Sequence, residues 1–391
     1  MAMADHAETM DKEQEALILD GIERFLDRDV RPHVAALEHD DIYPEDIVEK
    51  MKEMGLFGAT ISEDHGGLGL PITTYAKIIE RLSHAWMSVS GLINSHLIMA
   101  AAVERFGTDE QRASYLPRFA SGELRGGLAL TEPDCGTDLQ AIRTTAKREG
   151  NNAYVINGAK TWITNSIHGS CLALLVKTDP DAEPRHKGMS LFLAEKGEGF
   201  RVSRKLEKLG YRGIDTAELA FEDYRVDADK LIGGVEGKGL QHALSGLELG
   251  RINVAARGVG VAQSCLDEAV RYSQERKTFG KPIAQHQAIQ IKLADMVTRT
   301  EAARLLTEHA ALAYETGQRC DMEAGIAKLF ATEAALENSI EAMRIHGGYG
   351  YSKEFPIERM YRDAPLLCIG EGTNEIQRLI IARQLIERNP A

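Results

Sequence analysis

The feature that most constrains this chain is a change of hydrophobic period that happens twice. Up to about residue 122 the apolar positions recur at helical spacing. From Gly126 to about Gly233 the sequence turns to β-branched residues, alternation and turn dipeptides, and from Gly239 it is helical again. Side chains return to one face every 3.6 residues on a helix and every two on a strand, so the patterns belong to different elements. The chain therefore reads as a β domain set between two helical ones, with expected limits 1–124, 125–234 and 235–391. Its 391 residues suffice for two or three domains with large cores.

In the first part, Leu17, Ile18, Ile22, Phe25, Leu26 and Val30 form an amphipathic stripe ending near Pro32. Pro44 opens a second helix, and a long helix runs through Tyr75 to Phe106. Glu63 to Gly69 is a glycine-rich turn without the strand or Lys-Ser/Thr of a dinucleotide or P-loop motif. In the middle part, Asn157-Gly158 between Tyr154-Val155-Ile156 and Lys160 to Thr164 predicts a hairpin. Further strands are expected over 172–176, 189–194, 200–203 and 217–221. In the last part, periodic segments over 240–272, 285–316, 321–345 and 375–387 predict a four-helix bundle.

Composition narrows the function. A net charge of −13 argues against a nucleic-acid surface. No run of about 18 apolar residues predicts a membrane span. The start, Met1 to His6 with Glu8 and Asp11, lacks the basic-then-apolar pattern of a leader. Five scattered cysteines without a CxxC predict neither disulfides nor a zinc site, so the expectation is a reduced, cytoplasmic protein.

Glu371 stands between Gly370 and Gly372, just ahead of an apolar helix that Thr373 can cap. A lone carboxyl at a helix entrance, with space on both sides, suits a general base. It equally suits a solvated turn. Three other stretches carry chemistry. Leu128 to Asp138 offers hydroxyls and turn amides to a ring edge or phosphate. Trp162-Ile163-Thr164 offers an aromatic face beside a hydroxyl. Arg276 to Gly280 offers cations at a helix end. Taken singly, each serves a structural role as readily as a ligand.

Together these stretches resemble the acyl-CoA dehydrogenases. The resemblance runs from about residue 11 to 388. It is carried by Leu130-Thr131-Glu132-Pro133 with Gly136-Thr137-Asp138, Lys160 to Asn165, Arg276 to Gly280, Gly347 to Tyr351, and Glu371-Gly372-Thr373 with Ile376 to Leu379. Lys208 to Gly213 and Gly246 to Ile252 look nearest to the short-chain branch.

The resemblance implies an α+β multidomain fold: an N-terminal α-helical domain, a middle β-barrel or sandwich, and a C-terminal four-helix bundle, assembled as a homotetramer. It implies FAD between the β domain and the bundle. Leu128, Leu130, Thr131, Gly136 and Thr137 would line the flavin, with Trp162, Ile163 and Thr164 against its ring. Arg276, Thr278, Phe279, His286 and Gln287 would reach an FAD held mainly by another subunit. Arg344, Gly347, Gly348, Thr373 and Glu375 would complete the cofactor site. Thr137, Glu248 and Arg251 would meet coenzyme A, and Gly370 and Gly372 the acyl thioester. Glu371 would remove the pro-R α-proton, and the β-hydrogen would leave as hydride to flavin N5, giving a trans-2-enoyl-CoA. In the family, the glutamate's backbone N–H and a ribityl hydroxyl hold the thioester oxygen. An electron-transfer flavoprotein would then reoxidise the flavin.

Four positions depart from the family pattern. Some branches carry the base just before the arginine equivalent to Arg251, but that position is Gly250. Gly370 replaces a common tyrosine, which predicts room for a branched, cyclic or bulky short acyl group. His84 stands near where members acting on dicarboxyl-CoA thioesters carry an arginine, so a dicarboxyl-CoA substrate is an alternative. Arg344 replaces a common glutamine, which leaves a backbone contact to the cofactor. The competing functions on this fold are an acyl-CoA oxidase, a non-oxidative relative such as a desulfinase, and a non-catalytic helical scaffold.

Overall fold

The computed structural model describes residues 10–390. Residues 1–9, on which most of the leader argument rests, lie outside the described residues. The first domain contains α1 (Lys12–Phe25), α2 (Val34–His39), α3 (Glu45–Glu53), α4 (Ile72–Ala85), α5 (Met87–Phe106) and α6 (Asp109–Ala120). Asp11 caps α1, and Thr108 with Gln111 forms a capping box at α6. The helix expected over Tyr75 to Phe106 is two helices. Trp86 interrupts it with an extended backbone (φ −162°, ψ 114°) and a buried indole. The indole packs where Gly213 has no side chain: a Cβ there would lie 2.4 Å from Trp86 Cη2. Docking between domains, not local sequence, breaks the helix.

The middle domain is a seven-stranded sheet of β1 (Gly126–Ala129), β2 (Thr145–Glu149), β3 (Ala153–Thr164), β4 (Cys171–Lys177), β5 (Met189–Glu195), β6 (Phe200–Lys205) and β7 (Thr216–Asp227). The order is β1-β4-β2-β3-β7-β6, with β5 on β4. β1 and β2 lie parallel to β4, and the other pairs are antiparallel. The hairpin expected at Asn157-Gly158 is absent, because β3 runs straight through it. Gly158 instead sits at a register shift, with φ 149°, where a Cβ would come within 2.5 Å of Thr144 Oγ1. The hairpin is β2–β3, pairing Glu149 with Ala153.

The last domain contains α7 (Gly239–Glu275), a short ribbon of β8 (Lys277–Thr278) and β9 (Lys281–Pro282), then α8 (Gln287–Glu315), α9 (Asp321–His346), α10 (Ile357–Ile369) and α11 (Asn374–Arg388). α10 adds a fifth helix to the four expected. One hydrophobic cluster runs through both helical domains, while a second fills the sheet. Fifteen of the 20 residues of α5 are buried, so its polar groups face protein rather than water. No helix of the described residues is long and apolar enough to cross a membrane.

Candidate active site

Glu371 lies in the turn between α10 and α11. α10 stops at Gly370, and Glu371 and Gly372 follow with φ of 55° and 84°. Two successive left-handed residues reverse the chain. At a glutamate that conformation stores strain, roughly 1–3 kcal/mol. Thr373 then caps α11, its hydroxyl accepting from the Ile376 amide. Lys328 of α9 holds the turn from inside. Its buried ammonium donates to Gly372 O (2.9 Å), Asn374 Oδ1 (2.8 Å) and Cys368 O (3.4 Å). Gln377 Nε2 donates to the carbonyls of Glu371 and Gly372. Burial lowers Lys328 to about 8.

The carboxylate of Glu371 points at α5 and α7. Asn94 Nδ2 donates to Oε1 at 3.5 Å. Oε2 lies against Gly250, where a Cβ would sit only 3.0 Å away. Burial pushes the carboxyl above its ordinary value. Arg257, Lys328 and Arg251 oppose this through space, and Asn94 by its hydrogen bond. The group is thus a desolvated carboxylate of increased basicity, as proton abstraction from carbon requires.

A second set of residues meets on the β domain. Thr161 N donates to Thr131 O at 3.0 Å, which joins the 128–138 stretch to β3. A register shift between Lys160 and Ile163 turns Trp162 outward at φ 61° and leaves it 59% exposed. Ile163 turns its side chain into the sheet core, and Thr164 Oγ1 stands 3.5 Å from Thr216 Oγ1. Beneath them Lys160 and Glu132 form a buried pair at 2.8 Å. Burial alone would raise Glu132. Lys160 and the Thr144 and Arg143 amides hold it below its ordinary value. Glu132 and Cys135 exchange backbone hydrogen bonds, closing the turn that carries Gly136 and Thr137.

α5 ties the two sets together. Asn165 Nδ2 donates to Leu92 O (3.0 Å) and Ser95 Oγ (3.3 Å), one residue along from Asn94. Gly127 lets β1 approach: a Cβ there would lie 2.4 Å from Ser95 Oγ.

A third set lines a cleft of ≈ 590 Å³ that includes Tyr272, Arg276, Thr278, His346, Gly347 and Gly348. No residue of the β domain lines it. Thr278 Oγ1 and His286 Nε2 are 3.1 Å apart, and Gln287 opens α8. Phe279, at the tip of the ribbon, is 97% exposed. His346 stacks on Tyr272, and its Nε2 is buried without a partner.

Family models for the N-terminal, middle and C-terminal domains of acyl-CoA dehydrogenase match residues 12–123, 127–224 and 237–386. The chain belongs to the acyl-CoA dehydrogenase family. It is similar to an "Acyl-CoA dehydrogenase" of Bacillus subtilis, 41% identical over 93% of this chain and 95% of that protein. It is similar to a "(2S)-methylsuccinyl-CoA dehydrogenase" of Cereibacter sphaeroides, 40% identical over 97% of this chain and 71% of that protein. Among solved structures, a chain from one described as "Electron transferring flavoprotein of Acidaminococcus fermentans" matches with a TM-score of 0.93 and 37% identity. That match covers 97% of this chain and 99% of the other.

As an acyl-CoA dehydrogenase the protein is an FAD-dependent oxidoreductase. Its residues fit that cofactor. The outward indole of Trp162 beside Thr131 and Thr164 offers a flat apolar face with hydroxyls at its edge. The cleft at Gly347 and Gly348, where added Cβ atoms would meet nothing within 4 Å, has room for a phosphate-bearing group beside Arg276 and the unpartnered His346 nitrogen.

His84 and the side chain of Arg344 stand away from these three sets. His84 is on the outside of α4, with Nε2 2.9 Å from Asp267 and Nδ1 3.5 Å from Arg31. The break at Trp86 separates it from the part of α5 that reaches Glu371. Arg344 is ion-paired to Glu341 and does not line the cleft. Arg251 is buried and bonded to Asp321 at 3.0 Å. Glu248 is raised by burial, then by Asp321, in the same charged group. Glu375 lies in the first turn of α11. A Cβ at Gly370 would meet only Leu366 O, at 3.4 Å, so a side chain could start there without a clash.

Lys328, Asn94 and Arg257 are site residues that sequence reasoning misses, and Glu132 and Lys160, though both stand in the quoted motifs, are not read there as a pair. Asn94 alone carried a signal: a polar side chain in the apolar Tyr75 to Phe106 stretch.

Proposed function

We propose that the protein dehydrogenates a short acyl-CoA thioester between its α and β carbons, with Glu371 as the base. The observation that carries this reading is the carboxyl of half-buried Glu371, raised by desolvation and pressed against the glycine face of α7. Gly250 leaves that face without a rival carboxylate and gives the α-carbon access to Oε2. Asn94 fixes the other oxygen. The Lys328 and Gln377 donors keep the turn in its left-handed form, so the base does not swing away when it gains the proton. FAD, when bound, supplies the acceptor for the β-hydrogen. Thr131, Trp162 and Thr164 would hold its ring, and Arg276, Thr278, His286, Gly347 and Gly348 its phosphate-bearing end. The product is a trans-2-enoyl-CoA.

The open space at Gly370 supports a branched or cyclic short acyl group. Similarity to a chain from an electron transferring flavoprotein structure supports that class of protein as electron acceptor. Exposed apolar side chains on one chain, Leu379 at 67% and Ile386 at 71% on α11, support assembly into a homotetramer. Five free cysteines support a reducing compartment such as the cytoplasm.

Anaerobic addition of acyl-CoA thioesters to the flavoprotein, followed by the visible spectrum, tests the reading. A short acyl-CoA should bleach the flavin. Glu371→Gln should bind FAD and acyl-CoA but leave the flavin oxidised. Wild-type bleaching by that variant would move the base elsewhere.

A further inference from the structure

Asp363 is a buried carboxylate that the reaction above does not use. It lies on α10, the helix that ends in the turn carrying Glu371, and it is 3% exposed. Burial pushes it up to about 6, against a hydrogen bond from the Tyr211 amide and the charge of Arg359. Glu38 on α2 adds to the rise, and Arg362 opposes it. Cys265 on α7 lies within reach of its charge as well. A carboxylate is costly to bury and persists where it is paired and hydrogen-bonded.

The donor that Asp363 serves belongs to another domain. Its Oδ1 accepts from Tyr211 N at 2.6 Å. Tyr211 is in the loop between β6 and β7, and its φ is 56°. A residue with a side chain keeps such a backbone only when its surroundings hold it there. The loop is shaped for this contact: a Cβ at Gly210 would lie 2.6 Å from Asp363 Oδ1. The next two residues have their own anchors. Ser88 Oγ donates to Arg212 O at 2.6 Å, and Gly213 N donates to Asp41 Oδ1 at 2.8 Å. The Tyr211 amide is therefore the point of the loop that Asp363 holds.

From this conformation the Tyr211 side chain runs between α5 and α7. Its hydroxyl takes the place that a side chain at Gly91 of α5 would occupy. Its ring lies against Arg257 of α7, with 4.8 Å between Cζ and the ring centroid. Arg257 is 4% exposed, and its Nε and Nη2 have no hydrogen-bond partner among the described residues. The ring is thus the contact that fixes where this guanidinium lies. Arg257 stands two turns of α7 beyond Gly250, against which Glu371 Oε2 rests. Its charge comes first among those that oppose the raised carboxyl of Glu371, ahead of Lys328 and Arg251. Arg257 and Glu371 both act through space on the Tyr211 hydroxyl, which places the three groups together.

We infer that Asp363 is a positioning residue for the base: its bond to the Tyr211 amide holds the tyrosine in the conformation that seats the Arg257 guanidinium near Glu371. α10 thus carries the base at its end and, from its middle, fixes the charge that faces that base. Without the bond Tyr211 relaxes toward an ordinary backbone, its ring leaves Arg257, and the guanidinium loses its seat. Glu371 then loses the foremost charge that favours its ionised form. The effect on rate rests on the proposed dehydrogenation, whereas the effect on the carboxyl does not.

The test follows the acid limb of kcat/KM for flavin bleaching by butyryl-CoA and, separately, melting temperature against pH, both on the holoenzyme. Asp363→Ala removes the acceptor. Its acid limb should move up in pH, so that kcat/KM measured on the limb falls on the order of tenfold, with a smaller change on the plateau. Removing a negative charge would by itself move the limb down, so an upward shift reports lost position. Asp363→Asn keeps an oxygen for the Tyr211 amide, and its limb should lie at or below that of the wild type. Tyr211→Leu leaves Asp363 in place and should move the limb up as Asp363→Ala does. Arg257→Gln moves it up too, and adding Asp363→Ala to it should change nothing further. Melting curves of each variant against its Glu371→Gln counterpart read the same carboxyl without turnover. The stability that the raised carboxyl loses with rising pH should be lost over a range that extends higher in Asp363→Ala. An Asp363→Ala variant that melts lower but keeps the wild-type limb, an equal upward shift in Asp363→Asn, or full additivity with Arg257→Gln overturns the inference. If Asp363→Ala does not fold, an unmoved limb in Tyr211→Leu overturns it. The melting shift together with wild-type bleaching by Glu371→Gln would keep the seating of Arg257 and remove the base assignment instead.

Discussion

Lys328 Nζ on α9 lies 2.9 Å from the carbonyl oxygen of Gly372, the residue after the candidate base. A fully buried ammonium therefore fixes the backbone on which the carboxylate is mounted, rather than touching the carboxylate itself. Its three acceptors, Cys368 O, Gly372 O and Asn374 Oδ1, span the end of α10, the turn and the start of α11.

Lys328→Met should release the turn. Two carbonyls and an amide oxygen would lose their donor, which costs about 2–4 kcal/mol. The left-handed Glu371 would lose a restraint against its strained backbone. The expected outcome is a lower melting temperature and a fall in kcat of at least about tenfold, with KM changed less. Thermal melts and flavin-bleaching rates measure both. Unchanged kcat in a destabilised protein would show that the lysine serves folding alone.

Much of this architecture is legible in the sequence, and the exceptions have physical causes. The helix–sheet–helix order shows because β-branched alternation stops and starts within a few residues of Gly126 and Gly239. Thr373 caps α11 as its position suggests. β1 and β2, built from Gly126-Gly127 and Lys147-Arg148-Glu149, lack the side chains that mark strands and are held by their neighbours. The break at Trp86 and the straight passage through Asn157-Gly158 both come from a distant contact, with Gly213 and Thr144 respectively. α10 is obscured by Pro365 within it. Lys328, Lys160 and Arg257 are hidden for one shared reason: a charged residue in a helix or strand ordinarily faces water. Here each is buried, two of them at partners far off in the chain. His84 was the reverse case, chemically suitable but placed on the wrong side of the Trp86 break.

The raised carboxyl of Glu371 links activity and stability in opposite senses. Only the ionised form abstracts a proton, so kcat/KM should rise with pH through a value above the ordinary 4.5. Arg257 is first among the charges that oppose the rise, so Arg257→Gln should move this acid limb further up. For folding, a carboxyl raised in the native state contributes stability that is complete below 4.5 and is lost as pH rises through the raised value. Glu371→Gln carries no charge to bury. It should melt higher than the wild type near neutral pH, and the difference should vanish in acid. Melting curves across pH check the sign. A variant less stable than the wild type at neutral pH would mean that the surrounding cations, not desolvation, dominate the site.

Gly250→Ala should separate activity from folding. An alanine Cβ would stand 3.0 Å from Glu371 Oε2 and 2.8 Å from Ile98 Cδ1. The isoleucine contact is with the end of a flexible side chain and can relax. The helix gains about 0.5–1 kcal/mol from replacing glycine. Stability should stay level or rise slightly, while the methyl group occupies the approach to Oε2 and lowers kcat/KM at least about tenfold. Equal activity in both proteins would show that substrate does not enter between Gly250 and the base.

The Glu132–Lys160 pair tests how the bulge at Trp162, proposed to face the flavin, is held. Both side chains are buried, and Lys160 Nζ also donates to Leu130 O at 2.9 Å. Burial lowers Lys160 to about 8, while Glu132 lies below its ordinary value through the charge of Lys160 and the amides around it. Glu132→Ala would leave a buried ammonium without its counter-ion and two amides without their acceptor, a loss of roughly 3–5 kcal/mol. FAD retention should fall with it, because Thr131 and Trp162 sit on the two segments that the pair joins. Glu132→Leu with Lys160→Met removes both charges together. A buried pair replaced by apolar side chains of similar size is often close to neutral, so the double variant should be more stable than Glu132→Ala. Melting temperature and the ratio of flavin to protein absorbance measure the two effects separately. If the double variant recovers stability but not flavin, the pair shapes the cofactor face. If it recovers both, the pair is one of several ways to pack this corner of the sheet. A double variant that recovers neither would place the critical contact in the Arg143 and Thr144 amides that Glu132 accepts from.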